Sequence, residues 1–218
     1  MCCLEYCNLS KNHYKTKMNS NPAQFLSEAD PILGKIIATI PPPKIESTND
    51  VFFDLMSCIL EQQIHYRSTK RILKKMLERA ELTILNLDNF HILEEKAFGT
   101  VNLAVTKFET IERTLAFFSE NKIAWQTLSD AAVSEKLSSI KGIGKWTIDM
   151  ILLYTLDRPN VFPYDDFHVK EIMVKLYGLN PNVKLKAQML DISETWNEHK
   201  SLAIKYLLAW KEFNKAKK

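Results

Sequence analysis

The chain has 218 residues, of which 46% are hydrophobic and 25% are charged, so it is long enough for one large domain or two small lobes around a packed core. A formal net charge of +3 permits a nucleic-acid partner but does not by itself indicate one. No apolar run is long enough to span a bilayer, and residues 1–20 lack the apolar core of a signal peptide. We therefore expect an intracellular protein with no membrane partner, cytoplasmic or nucleoid-associated in a bacterium and nuclear in a eukaryote.

The first 20 residues are polar and aperiodic, which predicts a flexible tail. This tail contains Cys2, Cys3 and Cys7, which we interpret as reduced thiols rather than as a metal or lipidation site. From Pro22 onward apolar residues recur at steps of three and four, and no run alternates as a strand would. The pattern predicts an all-α fold, with helices at about 22–37, 50–60, 66–79, 88–96, 101–118, 131–139, 145–156 and 166–177.

The segment 137–147 has two glycines two residues apart, between two helical patterns. Gly142 and Gly144 permit a tight turn and a close approach of the backbone to another surface. The helix that starts at Lys145 presents unpaired N–H groups in its first turn, and such groups bind anions. We predict a phosphate-binding turn that reads no base sequence, with a plain helix-to-helix turn as the alternative. The predicted contacts are Lys141, Gly142, Ile143, Gly144, Lys145 and Thr147.

The helix predicted at 145–156 is apolar on two faces. One face suits a protein core, whereas Trp146, Met150 and Leu153 form the second face at i, i+4 and i+7. A second apolar face needs a second partner. That partner is either another helix or a bound molecule whose pocket these side chains line, and the spacing alone leaves both open.

Two adjacent carboxylates, Asp165 and Asp166, follow the extended segment 161–164 and precede a helical pattern that Gly178 ends. Both could cap this helix, or one could cap it while the other serves in chemistry. The helix dipole favours the charged form of a carboxylate at this position. A persistent anion suits a reaction whose transition state carries positive charge on a sugar ring. The spacing alone leaves both readings open.

Taken together, Gly-Ile-Gly-Lys-Trp (142–146) and Val-Phe-Pro-Tyr-Asp-Asp (161–166) resemble the helix-hairpin-helix plus Gly/Pro-Asp signature of the DNA glycosylase superfamily. The resemblance extends over about residues 22–212. It implies that Asp166 is the catalytic carboxylate, which acts on a damaged nucleotide swung out of double-stranded DNA.

The same resemblance implies a two-lobed, all-α HhH-GPD glycosylase fold with its active site in the cleft between the lobes. Residues 21–218 then form a single glycosylase unit. One lobe comprises about 50–157, including the hairpin at 137–147, and the other comprises about 21–49 together with 158–218.

Superfamily members that also cut the DNA strand carry a lysine nucleophile two residues after the second hairpin glycine, where this chain has Trp146. The chain is therefore predicted to be monofunctional, with water as the attacking group. Some relatives bind an iron–sulfur cluster through four C-terminal cysteines, and the absence of cysteine after Cys58 predicts that this chain has none.

In having Trp at position 146, the chain resembles the alkylpurine branch of the superfamily, the DNA-3-methyladenine glycosylase II type. Alkylation makes a purine cationic, so the base leaves readily and is attracted to an electron-rich ring. We therefore predict hydrolysis of the N-glycosidic bond of alkylated purines in base excision repair. A glycosylase for an oxidised or mispaired base, and a non-catalytic DNA-binding protein, are the alternatives.

Two further segments resemble this branch. The run 59–64 is similar to the turn that fills the gap in the duplex, with Gln63 as the inserted side chain; a polar turn at a helix end is the alternative. The segment from Trp196 resembles the motif Trp-x-Pro-aromatic-Arg-Ser-x-Ala, although Glu198, His199 and Lys200 replace its Pro, aromatic and Arg. These departures put the substrate range in question. The resemblance assigns the base pocket to Trp146, Met150, Trp196 and His199.

The superfamily's hairpin also binds a monovalent cation through backbone carbonyls, which by position are those of Ser138, Ile140 and Ile143. The resemblance thus implies a structural Na⁺ or K⁺ and no other cofactor. Double-stranded DNA with a flipped damaged base is the expected partner, and we expect a monomer.

Overall fold

The structure is a computed structural model that describes residues 21–44, 47–60, 66–100 and 103–216, with the backbone alone for residues 66–71 and Thr100. The predicted tail and Gln63 lie outside the described residues. Within them the chain is helical without a strand, which confirms the all-α prediction. The α-helices are α1 (Pro22–Ala29), α2 (Pro31–Thr39), α3 (Val51–Leu60), α4 (Tyr66–Ala80), α5 (Phe90–Ala97), α6 (Val105–Glu120), α7 (Asp130–Ser138), α8 (Lys145–Met150), α9 (Phe167–Tyr177), α10 (Leu185–Glu194) and α11 (Lys200–Ala216). Short 3₁₀ turns occur at Phe98–Thr100 and Trp125–Thr127, and a π-helical turn at Ile151–Thr155.

The helices fall into two compact units. Of the described residues, one unit comprises 21–44 together with 169–216, and the other comprises those between 47 and 168. The resemblance implies a boundary between the lobes at about residues 157 and 158. In the structure, the segment 158–168 belongs to the same unit as the hairpin, so Asp166 and the hairpin share one unit.

In the unit formed by the two chain ends, α11 packs on α1 and α2, and Asp30 organises the polar contacts. Its Oδ1 caps α2 by accepting from the N–H groups of Ile32 and Leu33 at 2.9 and 3.0 Å. Its Oδ2 accepts from the Tyr177 hydroxyl at 2.6 Å and from the Trp196 indole N–H at 2.8 Å. Asp30 is only 5% exposed, so its bonds stabilise the interior of this unit.

In the unit of residues 45–168, α3 is the central helix, since nine of its ten residues are buried. Asp50 caps it by accepting from the Phe53 N–H at 2.9 Å. The buried Asp54 accepts from the hydroxyls of Thr48 and Thr155 at 2.6 and 2.8 Å. These bonds tie α3 to the π-helical turn that follows α8.

The helix predicted over 145–156 is not a uniform α-helix. It is α-helical to Met150 and then widens into the π turn, where the Leu156 N–H donates to the Ile151 carbonyl at 2.9 Å. The Thr155 carbonyl accepts from the Ser47 hydroxyl, while the Thr155 side chain is held by Asp54. Residues that are distant in the sequence thus hydrogen-bond to the π turn. Such turns inside helices occur frequently beside functional sites.

Membrane-spanning character is not found in the described part of the chain: none of its helices combines the length and the apolar composition that crossing a bilayer requires.

Candidate active site

The hairpin consists of the end of α7, a turn at 139–144 and the start of α8. Gly142 has φ +107°, a conformation that side-chain-bearing residues rarely adopt. A Cβ atom on Gly142 would lie 2.2 Å from Oγ1 of Thr110, so the turn packs directly on α6. The Arg113 guanidinium, also on α6, donates to the Lys141 carbonyl at 3.5 Å. Glycine at 142 is therefore required both by the backbone and by the neighbouring helix.

Gly144 differs from Gly142 because its surroundings are open. It has φ −97°, it is exposed, and no heavy atom lies within 4 Å of a Cβ built on it. No side chain caps α8, which begins directly after Gly144. The N–H groups of the first turn are therefore accessible to an anion that approaches the backbone closely.

The hairpin side chains do not all face solvent as predicted DNA contacts would. Lys141 is exposed, but Ile143 and Thr147 are only 7% and 3% exposed. Their side chains anchor the hairpin in the core, so these two residues can reach a phosphate only through the backbone. Lys145 is exposed, but its ammonium group is paired with Asp149.

Lys145 makes a bidentate ion pair one helical turn along α8. Its Nζ donates to both carboxylate oxygens of Asp149 at 2.7 Å, and it lies 4.7 Å from the centre of the Tyr164 ring. The pKa of the Asp149 carboxyl is raised, mainly because the group is buried. The hydrogen bond and the charge of Lys145 lower this pKa, whereas the nearby charge of Asp165 raises it.

The indole N–H of Trp146 donates to Oδ2 of Asp166 at 2.8 Å. Asp166 is 9% exposed, and its own N–H donates to the Pro163 carbonyl at 3.0 Å, in a tight turn directly before α9. The Trp146 indole therefore holds the carboxylate, and the proline turn fixes the backbone of Asp166. A nearly buried carboxylate with a fixed donor is suited to stabilising a cation or orienting a water molecule.

The Trp146–Asp166 hydrogen bond is absent from the sequence-based expectations, which treat Trp146 only as an aromatic pocket wall. A signal for it exists in the sequence, because a partly buried indole N–H usually finds an acceptor. The two acidic residues Asp165 and Asp166, which lie 19 and 20 positions downstream, are candidates for that acceptor.

The four predicted base-pocket residues are divided between the two units. Trp146 is partly exposed and Met150 is 3% exposed, both in the hairpin unit, and a base-contacting role for Met150 stays a prediction. Trp196 is fully buried and donates to Asp30, which gives it a structural role in place of the predicted pocket role. His199 is partly exposed and packs edge-on against Phe25, with ring centres 5.4 Å apart.

The predicted cation ligands are backbone carbonyls of the hairpin. The Ile140 carbonyl accepts from the Ile143 N–H at 3.0 Å, which leaves a second lone pair on that oxygen. Among the described residues, no cluster of three or more His, Cys, Asp or Glu side chains is arranged to hold a metal ion. A role for the carbonyls of Ser138, Ile140 and Ile143 in binding a monovalent cation stays a prediction.

Comparison with known proteins gives consistent matches over most of the chain, although no family model matches it. The chain is 26% identical over 189 residues to DNA-3-methyladenine glycosylase 1 of Schizosaccharomyces pombe, covering 82% of this chain and 79% of that protein. Among solved structures, it matches a DNA-3-methyladenine glycosidase from Bacillus halodurans with a TM-score of 0.69, 21% identity and coverage of 88% and 89%. It also matches the S. pombe 3-methyladenine DNA glycosylase in complex with abasic DNA, with a TM-score of 0.67, 23% identity and coverage of 88% and 96%.

These matches, together with the fold and the hairpin, confirm the resemblance that the two motifs indicate: the chain is similar to helix-hairpin-helix DNA glycosylases and, among them, to proteins of the DNA-3-methyladenine glycosylase type.

Proposed function

We propose that the chain is a monofunctional DNA glycosylase that hydrolyses the N-glycosidic bond of alkylated purines, of the 3-methyladenine type, in double-stranded DNA. The observation that carries this proposal is the nearly buried Asp166 carboxylate, held at 2.8 Å by the indole N–H of Trp146 in the unit that contains the hairpin. A carboxylate used only to cap a helix would not need a fixed donor from the hairpin helix.

Asp166 would stabilise the positive charge that develops on the deoxyribose as the bond from C1′ to the base nitrogen breaks. The bonding electron pair leaves with the base, so a cationic alkylated purine departs as a neutral molecule. A water oxygen then bonds to C1′, and Asp166 accepts the proton that this water loses. The products are a free base and an abasic site.

A lysine nucleophile is not part of this mechanism. Trp146 occupies the position at which strand-cutting superfamily members carry lysine, and the neighbouring Lys145 ammonium is engaged by Asp149. Water is therefore the attacking group, and the reaction needs no cofactor.

The hairpin would bind a phosphate of the duplex, with the open Gly144 backbone and the exposed Lys141 as its contacts. The partly exposed indole ring of Trp146 offers an electron-rich surface to a cationic base, with its N–H still directed at Asp166. Gln63 would fill the gap left by the flipped nucleotide, and we propose that the protein acts as a monomer.

The relatives support this choice of substrate. The S. pombe protein and the B. halodurans protein carry names that specify 3-methyladenine, and the S. pombe structure contains abasic DNA. An abasic site is the product that the mechanism above requires.

The test is a panel of DNA duplexes that contain 3-methyladenine, 7-methylguanine, hypoxanthine, 8-oxoguanine or a thymine mispair. The expected result is release of the methylated purines as free bases, with the strand left intact until base or a lyase is added. Preferential release of 8-oxoguanine or thymine would contradict the alkylpurine assignment. Strand cleavage without added lyase would contradict the monofunctional assignment, and no release from any duplex would favour a non-catalytic DNA-binding protein.

A further inference from the structure

Two consecutive residues of α8 contact the turn that carries Asp166. The Trp146 indole donates to Asp166 at 2.8 Å, and the Lys145 ammonium lies 4.7 Å from the centre of the Tyr164 ring. Tyr164 is two residues before Asp166, and the Tyr164 N–H donates to the Phe162 carbonyl at 2.9 Å. The Asp166 turn is therefore held against α8 at two neighbouring points, only one of which involves the carboxylate itself.

Asp149 fixes the direction of the Lys145 side chain. Both oxygens of its carboxylate accept from Nζ at 2.7 Å, and its side chain is only 7% exposed, whereas that of Lys145 is 45% exposed. A lysine on a DNA-binding hairpin would otherwise extend into solvent, where a phosphate could reach it. The buried carboxylate instead draws the ammonium back over the Tyr164 ring.

Keeping the Asp149 carboxylate ionised in this buried position costs free energy. The charged groups that face the Asp149 carboxylate are Lys145 from its own helix and Asp165 from the turn before α9. Burial and Asp165 both disfavour the ionised form, and despite Lys145 the pKa of Asp149 is raised. In this partly buried ion pair the Asp149 carboxylate is 7% exposed and the Lys145 side chain 45% exposed, and fixing a geometry is one role for which a charged group is kept despite such a cost.

We propose that Lys145, oriented by Asp149, is a positioning residue: it holds Tyr164 against α8 and thereby keeps the Asp166 carboxylate on the indole N–H of Trp146. It is not a phosphate contact of the hairpin. This proposal rests on the glycosylase function above. A cation over an aromatic ring is attracted to the electron-rich face of that ring, and this attraction biases the conformation of a short turn.

The first test separates positioning from phosphate binding. Lys145→Met removes the ammonium while keeping an unbranched side chain. In single-turnover assays at saturating enzyme, the excision rate should fall at least about tenfold because a displaced carboxylate loses its alignment with C1′. Affinity for DNA and its dependence on salt should match the wild type. A phosphate contact would instead lower the slope of log affinity against log salt by about 0.9, and such a fall would overturn the proposal.

A matched control is Lys74→Met, because Lys74 and Glu78 form another i, i+4 pair, at 3.9 Å, with side chains that are 74% and 63% exposed. This variant should change neither rate nor salt slope. Asp149→Asn is a second test variant of nearly equal volume, and it should reproduce the slower excision at unchanged salt slope. A saturated rate equal to that of the wild type in both Lys145→Met and Asp149→Asn would overturn the proposal.

The second test does not depend on activity. The indole N–H resonance of Trp146, assigned by its loss in Trp146→Phe, reports the hydrogen bond to Asp166. In Lys145→Met this proton should shift and exchange faster with solvent, whereas in Lys74→Met it should not change. An unchanged resonance in Lys145→Met would overturn the positioning role. If the wild type releases no base, the proposed function fails, and this resonance still tests the contact.

Discussion

Replacement by alanine should have different effects at the two hairpin glycines: a loss of stability at Gly142 and a loss of DNA affinity at Gly144. Gly142→Ala forces a Cβ onto a residue with φ +107°, which costs about 1–3 kcal/mol of unfolding free energy. The added Cβ would also lie 2.2 Å from Oγ1 and 2.8 Å from Cγ2 of Thr110, an overlap that costs about another 1–3 kcal/mol. The variant should therefore be destabilised by about 2–6 kcal/mol.

Gly144→Ala provides the matched control, since its Cβ meets no atom within 4 Å and φ is −97°. Its unfolding free energy in urea should stay within about 0.5 kcal/mol of the wild type. If a phosphate approaches this backbone closely, however, its DNA affinity should fall about tenfold, or about 1.4 kcal/mol. Wild-type affinity in a stable Gly144→Ala variant would refute the close approach.

A double variant separates the two costs at Gly142. Thr110→Ala removes Oγ1 and Cγ2, together with a hydrogen bond to the Thr106 carbonyl worth about 1 kcal/mol. Combined with Gly142→Ala, it should recover about 1–3 kcal/mol relative to the sum of the single changes. Strict additivity in urea unfolding would show that the hairpin does not pack on α6 as described.

Two further predictions concern buried carboxylates. Asp30→Ala removes the acceptor of the Tyr177 hydroxyl and the Trp196 N–H, and it also removes a helix cap. It should therefore lower the unfolding free energy by about 3–5 kcal/mol in urea titrations. A loss below about 1 kcal/mol would contradict the role of Asp30. Because the pKa of Asp149 is raised above its ordinary value of 3.8, the folded state binds this proton more tightly than the unfolded state. The stability of the wild type relative to Asp149→Asn should therefore fall as pH rises above about 4 through the raised pKa, and a relative stability that rises over this interval would contradict the burial effect.

Much of the fold could be predicted from the sequence because local signals agree with the structure. The helical pattern at about 50–60 coincides with α3, and Gly178, with φ +64°, follows the last residue of α9 as predicted. The hairpin could be predicted from the full segment 137–147 with its apolar residues and the helix after it, because two closely spaced glycines alone also suit a plain helix-to-helix turn. Asp166 could be selected over Asp165 only through the family motif, since both can cap a helix.

The contacts that define the site could not be predicted in the same way because they depend on tertiary packing. Lys145 and Asp149 have i, i+4 spacing, but lysine before the acid is the weaker order in a helix, so the pattern gives little reason to prefer it over a phosphate contact. The π turn is accompanied by contacts from Asp54 and Ser47, which lie about a hundred residues earlier. Trp196 resembles a pocket residue in its motif, but only the structure reveals its bond to Asp30.

The most direct test of the central claim compares wild type and Asp166→Asn on methylated DNA, with single-turnover release of free base as the readout. The amide is nearly isosteric and can still accept from the Trp146 N–H, but it carries no negative charge. The wild type should release 3-methyladenine and 7-methylguanine, and the variant should do so at least about a hundredfold more slowly while binding the duplex equally well. Release by Asp166→Asn at the wild-type rate would show that this carboxylate is not the catalytic group.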